Sequence, residues 1–523
     1  MTADLIIRDA NVYTMVRPGR RAEALAFQAG RIVVVGANAE VEALVGPQTQ
    51  VLSLPGRTVL PGFIDCHVHM TQTGLGALGT SVYDVSDTGT VLQVVAEAVD
   101  RAAPGEAVLV HGCWFGGLDR PVIAADLDRI APRNPVMVAD VSGHGCLVSS
   151  PAWEALALPS GIGGVLRDGS GCRSGRLVAE ANTLARYRYY ASIDDAQRAE
   201  ALQRAAEMAL RVGITTLHAL DGGCDDGHSW FRERDAAMLL QAQDHLPVRT
   251  VLYLQSTCVE TAVAWGLSHI GGCVWLDGSY GDHTTALLEP YADRPDTCGK
   301  LYFADDELEG FVERAHLAGL QIAMHAIGDA AIQQLLDAYE KVLVRHPRAD
   351  HRHRIEHFSL PTVAQIDRAA RLGVALSMQP NQAVVPKEAH QHMPASMRYL
   401  GPERYARRHP YRRILDAGCL VGGGSDSDPK PMGPLIGVEA LAGHPDDDRH
   451  LSAYEALLLY TASAARLAFE EDQKGTLEPG KLADCVVLSA DPLAADPDTI
   501  SQIPVDMTLV AGRIAYRRPG NDA

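Results

Sequence analysis

The strongest constraint on this chain is an alternation. Short apolar, β-branched runs recur through its middle, each followed by a stretch with helical periodicity. Eight runs read as strands: Thr58–His69, Ile214–Leu220, Arg249–Gln255, Cys273–Gly278, Gln321–Gly328, Arg354–Ser359, Val374–Pro380 and Leu420–Asp426. Helices are expected at Asp195–Val212, Asp306–Gly319, Ile332–Arg345 and Ser452–Ala468, the last opening with the capping-box spacing Ser452 to Glu455. Repeated strand–helix units imply a parallel sheet covered by helices, and eight of them imply an α/β fold of the (β/α)8, TIM-like barrel type. Between the first and second runs lie about 145 residues, far more than one crossover uses. Residues near 72–200 are therefore expected to form an insertion after barrel strand 1, with strands at Ala107–Trp114 and Val136–Gly143.

The two ends read differently. Asp4–Arg8, Ala24–Gln28, Arg31–Val35 and Gln50–Leu54, with Ala483–Leu488, Met507–Val510 and Arg513–Tyr516, are short β-rich runs punctuated by Gly and Pro. They predict a small β-sandwich domain built from both termini, residues 1–60 and 469–523, flanking a barrel over 61–468. Of 523 residues, 46 are Lys or Arg and 65 Asp or Glu, a net charge of −19 that argues against a nucleic-acid or anionic-membrane partner. No apolar run reaches the ~18 residues of a membrane span, and the N-terminus lacks a basic segment followed by an apolar core. Ten cysteines without CxxC pairs fit a reduced chain. A cytoplasmic location is expected.

In a β/α barrel the working side chains sit at the C-terminal strand ends. The first run ends His67-Val68-His69, and alternation puts both imidazoles on one side. The fifth carries His325, the sixth His357, and the eighth ends at Asp426. A lone strand histidine is usually structural, but four histidines and an aspartate at matching ends point to a metal site.

These residues resemble a known family. Pro61-Gly62-Phe63-Ile64-Asp65-Cys66-His67-Val68-His69 is similar to the opening strand of the amidohydrolase superfamily. His325-Ala326-Ile327-Gly328-Asp329-Ala330, Arg354-Ile355-Glu356-His357, Gly424-Ser425-Asp426 and the Gly475–Asp484 segment resemble its later motifs. Asp277-Gly278-Ser279 and Glu289-Pro290-Tyr291-Ala292-Asp293 bring the chain near the branch of N-substituted formamide deformylases. The resemblance implies a metal-dependent hydrolase of small molecules with one or two divalent ions, usually Zn2+, and makes a homodimer an expectation. His67 and His69 would hold the first ion, with Asp426 beside it as proton shuttle, and His325 and His357 the second. A metal lowers the pKa of bound water toward ~7 and polarises a carbonyl, so a non-peptide C–N bond, an amide or cyclic amide, is the expected target.

One departure stands out. Where that branch has a metal-bridging carboxylated lysine, this chain has Cys273. Cys273 reads either as a thiolate bridge or as a small buried hydrophobe beside a mononuclear site. His144, in Ser142-Gly143-His144-Gly145, resembles a histidine that reaches toward substrate, against an ordinary loop role. Trp114 reads as pocket wall or core, and Asp277 and Glu180 as substrate contacts or residues that only orient neighbours. His283 replaces an arginine of the branch and is a further substrate-side candidate, whereas His218 reads as core. His351, His353, His390, His392 and His409 lie in polar stretches and are expected to be solvated. Two rival functions are a hydrolytic deaminase with one metal and a catalytically silent scaffold. The common deaminases carry a glutamate three residues after the fifth-strand histidine, and Gly328 stands there. A silent scaffold would be expected to lose ligands first, and all five are present.

Overall fold

The structure is a computed structural model describing residues 2–83, 85–223, 232–383, 395–428 and 430–520. Its centre is an eight-stranded, all-parallel sheet in sequential order. The strands are β1 (Phe63–Val68), β2 (Ile214–Asp221), β3 (Arg249–Leu254), β4 (His269–Trp275), β5 (Gln321–Ala326), β6 (Arg354–His357), β7 (Ala375–Met378) and β8 (Val421–Gly423). The sheet closes on itself past its last strand: the His67 carbonyl accepts from the Asp426 amide at 2.8 Å, and the His69 amide donates to the Ser427 carbonyl at 2.8 Å. Helices at Asp195–Arg211, Asp305–Leu317 and Asp329–Arg345 pack outside it. Leu308, Phe311 and Val312 of one, and Ile332 and Leu335 of another, share a core with Ile322 and Met324 of β5. Three acids open Asp305–Leu317 and Arg314 and His316 close it, matching the helix dipole.

Three expectations shift, each for a local reason. The expected strand Thr58–His69 is two: Thr58–Pro61 pairs with Cys485–Leu488, and β1 begins beyond Gly62. A Cβ on Gly62 would stand 2.3 Å from Thr215 Oγ1, so the close approach needs glycine. β4 starts four residues earlier than expected, because Gly271 and Gly272 (φ 90° and 56°) look like a breaker but form a bulge. Ser452–Ala468 is not one helix but two, Ala453–Leu459 and Ala462–Leu467. Between them the Tyr460 carbonyl accepts from Ile64 of β1, leaving the helical ladder.

Strands from both termini form two sheets, Arg31–Gly36, Ala24–Gln28, Leu5–Arg8 and Gln50–Ser53 in one, and Thr58–Pro61 with Cys485–Leu488 and Val505–Val510 in the other. Ile7, Leu25 and Phe27 of the first meet Val59, Val487 and Leu509 of the second in one core. After β1 a six-stranded sheet, including Val108–Cys113, Val136–Asp140 and Gly145–Val148, carries its own core of Val110, Val138 and Leu147. Its Asp140–His144 loop reaches the barrel mouth. No helix among the described residues is long and apolar enough to cross a membrane. Eight described cysteines are free, but Cys258 is disulfide-bonded, so a wholly reduced chain is not what the structure has. Sequence spacing alone does not reveal which thiols meet.

Candidate metal centre and catalytic site

Period-2 alternation along β1 turns Asp65, His67 and His69 to the same side, into the barrel mouth. Each imidazole is pinned through Nδ1: His67 to Glu356 Oε2 at 2.7 Å, His69 to the Leu220 carbonyl at 2.8 Å. Pinning Nδ1 as donor leaves Nε2 as the ligand atom. Both Nε2 atoms face one oxygen, Asp426 Oδ1, at 3.2 and 3.6 Å. Asp426 has φ 58°, a left-handed backbone rare outside glycine that turns its carboxylate inward, and Gln382 Nε2 donates to its other oxygen at 3.1 Å. Burial pushes the Asp426 pKa up, but the hydrogen bond and charge of His67, with His357 and His69, outweigh it and bring it down to about 2.

Across the mouth, β4, β5 and β6 bring Cys273, His325 and His357 together. Cys273 Sγ lies 3.7 Å from His325 Nδ1 and 3.5 Å from His357 Nε2. His357 (φ 72°) is anchored through Nδ1 to Gln379 Oε1 at 2.7 Å. His325 uses the opposite ring nitrogen, its Nε2 lying 3.3 Å from Asp277 Oδ1. Burial would raise the Cys273 thiol's pKa, but the imidazoles of His67, His325 and His357 hold it well below the usual range. The sulfur and the ring nitrogens turned toward it face one another across the mouth. The lone pairs that share protons there are the atoms a soft-to-borderline cation takes.

The ligand atoms of His67, His69 and Asp426 lie within 4.8 Å of one another, and so do those of His67, Cys273 and His357. His67 Nε2, which belongs to both sets, is buried without a hydrogen-bond partner. A divalent cation therefore fits the donor set: buried, one side of each ring anchored, the other converging.

Glu356 was not singled out in the sequence. Along β6, alternation turns Arg354 and Glu356 inward, where Arg354 grips the carboxylate through Nε and Nη2 at 2.8 and 3.0 Å. Burial raises the Glu356 pKa, but Arg354 and His67 more than reverse this. The signal was present: an acid one residue before a strand-end histidine is the natural partner for another ligand's Nδ1.

The site opens into a cavity of about 680 Å³. His144 lines it, its ring 5.1 Å from that of His325, with burial first and then the His325 charge holding its pKa well below normal. Trp114 lines it too, 48% exposed. The remaining substrate-side candidates sit elsewhere. Asp277 is fully buried, its carboxylate accepting from the amides of Ala286, Ile327 and Gly328 at 2.8–3.0 Å and facing His325, and it does not line the cavity. Glu180 is exposed and paired with Lys300, and His283 pairs with Asp293 at 3.0 Å; neither lines the cavity. His218 is core, 3.3 Å from Arg354 Nη1. His351, His353 and His409 are buried rather than solvated: carbonyls, rings and amides satisfy His351 and His353, while His409 accepts from Arg408 through Nε2 and its Nδ1 has no partner among the described residues; His390 and His392 lie outside the described residues. A Cβ at Gly328 would meet the Ala286 carbonyl oxygen at 1.9 Å, so the glutamate of the common deaminases has no room.

Comparison with known proteins agrees with this geometry. The amidohydrolase family profile matches residues 50–516. Protein LONG AFTER FAR-RED 3 of Arabidopsis thaliana is 31% identical, over 94% of this chain and 88% of that protein. The N-substituted formamide deformylase of Arthrobacter pascens is 28% identical over 99% of each chain. Among solved structures, an uncharacterized metal-dependent hydrolase from Pyrococcus furiosus superposes with a TM-score of 0.73 at 25% identity, covering 94% of this chain and 99% of that one. The chain belongs to the amidohydrolase family and is a metal-dependent hydrolase of the TIM-barrel type.

Proposed function

We propose that the chain hydrolyses the C–N bond of an amide or cyclic amide, with Asp426 moving the proton. The observation that carries this reading is the shared focus of His67 and His69 on Asp426 Oδ1, at 3.2 and 3.6 Å. His67, His69 and Asp426 would hold one cation, His325 and His357 a second, with the Cys273 thiolate between them. Zn2+ suits this mixture of nitrogen, sulfur and oxygen donors. When bound, the cation supplies Lewis acidity: water ligated to it is acidic near pH 7, and a ligated carbonyl is polarised.

Asp426 is ionised at neutral pH and so is a base. Gln382 fixes its second oxygen, which leaves Oδ1 to take a proton from the attacking water. The same carboxyl then gives that proton to the departing nitrogen, because an amine leaves poorly unless protonated. Water and amide become carboxylic acid and amine, and Asp426 ends as it began. His144, held neutral, can hydrogen-bond the substrate's oxygen from the insertion side of the cavity.

Asp426→Asn keeps the shape of the site and removes the base. Turnover of a responsive amide should fall by about 10²–10⁴-fold while bound metal stays within twofold of wild type. Near-normal turnover would remove Asp426 as the shuttle.

A further inference from the structure

Among the described arginines that line the cavity beside the ligands, Arg408 is the one without a carboxylate partner. The other guanidiniums around it are paired: Arg176 with Asp282 at 3.0 Å, Arg449 with Asp446 at 3.1 Å, Arg407 with Asp329 at 2.8 Å. Arg408 lines the cavity, yet among the described residues no carboxylate lies within 4.0 Å of it. Among the described residues, its Nη1 donates to Ser396 Oγ at 2.7 Å and its Nη2 to His409 Nε2 at 3.0 Å. Its Nε is buried without a partner, and its flanks are the rings of Tyr280 and Tyr405, each 5.5 Å from the guanidinium carbon. Lys430 also lines the cavity, but it is exposed to solvent.

The position is close to the chemistry. The His409 amide donates to the Ser359 carbonyl at 2.9 Å, and Ser359 is two residues beyond the ligand candidate His357. A desolvated guanidinium facing a ligand cavity costs free energy until an anion meets it, and its planar fork matches a carboxylate. Burial lowers the pKa of Arg408, consistent with an unanswered charge. A neutral amide would leave that charge unmet.

We propose that Arg408 binds a carboxylate on the substrate, so that the amide hydrolysed here is an anionic one. This rests on the amide-hydrolase reading above. The test takes N-acyl amino acids, each beside its neutral primary amide of the same size. In the wild type, kcat/KM should favour the carboxylate member by at least about tenfold, carried in KM. Arg408→Gln should bring that ratio toward one, and Arg408→Lys should leave it in between, the lysine variant also serving if the glutamine variant does not fold. A wild-type ratio near one, or a ratio kept in both variants, would overturn the proposal.

A second measurement separates the two readings. Benzoate added to metal-stripped protein should raise Tm in the wild type and not in Arg408→Gln. That shift without turnover of any amide would remove the amide-hydrolysis reading and leave the anion site standing. Turnover of neutral amides without an Arg408-dependent shift would do the reverse.

Discussion

The barrel carries histidine clusters at both ends, and they differ in one respect. At the C-terminal mouth, His67, His69, His325 and His357 are each anchored through one ring nitrogen, to Glu356, the Leu220 carbonyl, Asp277 and Gln379, with the other turned to a common centre. At the opposite end both nitrogens are consumed. The Ile322 amide donates to His353 Nδ1 at 3.1 Å, so His353 Nε2 carries the proton and donates to His316 Nδ1 at 2.9 Å. His316 Nε2 donates to the His346 carbonyl at 2.8 Å. The His353 amide donates to His351 Nδ1 at 2.9 Å, and His351 Nε2 donates to the Leu372 carbonyl at 2.8 Å. These tautomers follow from the donors around them. A histidine cluster becomes a metal site when its lone pairs converge, not when the rings are merely near each other.

Breaking the mouth should have the largest effect. His67 belongs to both converging sets, so His67→Ala should abolish metal retention and turnover, read by elemental analysis and amide hydrolysis. Retained metal at wild-type stoichiometry would show that the two sets do not depend on the shared ring. Glu356→Gln tests anchoring alone: it keeps the shape but weakens the hold on His67 Nδ1. Metal affinity, measured by chelator competition, should fall about 10–100-fold.

The base should answer differently. His353→Ala removes two ring bonds in a buried layer and should cost about 1–3 kcal/mol of stability in denaturant unfolding, with metal content unchanged. Metal loss there would erase the distinction between the ends. The smallest effect concerns pH. Burial first, then surrounding charge, lowers the pKa of His316 and His351 and holds that of His353 well below normal; Arg348, His346 and Glu313 are the charged or titratable neighbours. The unfolded chain therefore binds more protons than the folded one, and this contribution is complete above about pH 6.5 and shrinks as pH falls below it. Tm of the wild type should drop between pH 7 and 5.5 more steeply than that of His353→Phe; equal slopes would contradict it.

The sequence was most legible where periodicity and chemistry coincide. His67 and His69 are two apart on one strand, and His325, His357 and Asp426 end β/α units, so convergence could be read from spacing. Spacing is silent on which nitrogen is anchored, and so it does not point to Glu356, Gln379 or Gln382, although each fixes a candidate ligand. The paired base of Gly271-Gly272 hid the true start of β4, because glycines that form a bulge look like glycines that end a strand. Glu180 stands out in the sequence by matching a branch motif and His283 by replacing a branch arginine, but the chain's turns place them against Lys300 and Asp293. Polar neighbours in sequence predict solvation for His353 and His409 but say nothing about neighbours across the barrel, where both are buried.

X-ray absorption at the zinc edge of the Zn2+-loaded protein tests the convergence most directly. Nitrogen or oxygen scatterers at about 2.0–2.1 Å with sulfur at about 2.3 Å are expected, the sulfur vanishing in Cys273→Ser. A shell of oxygen alone, like that of the hydrated ion, would mean that the mouth histidines do not hold the metal.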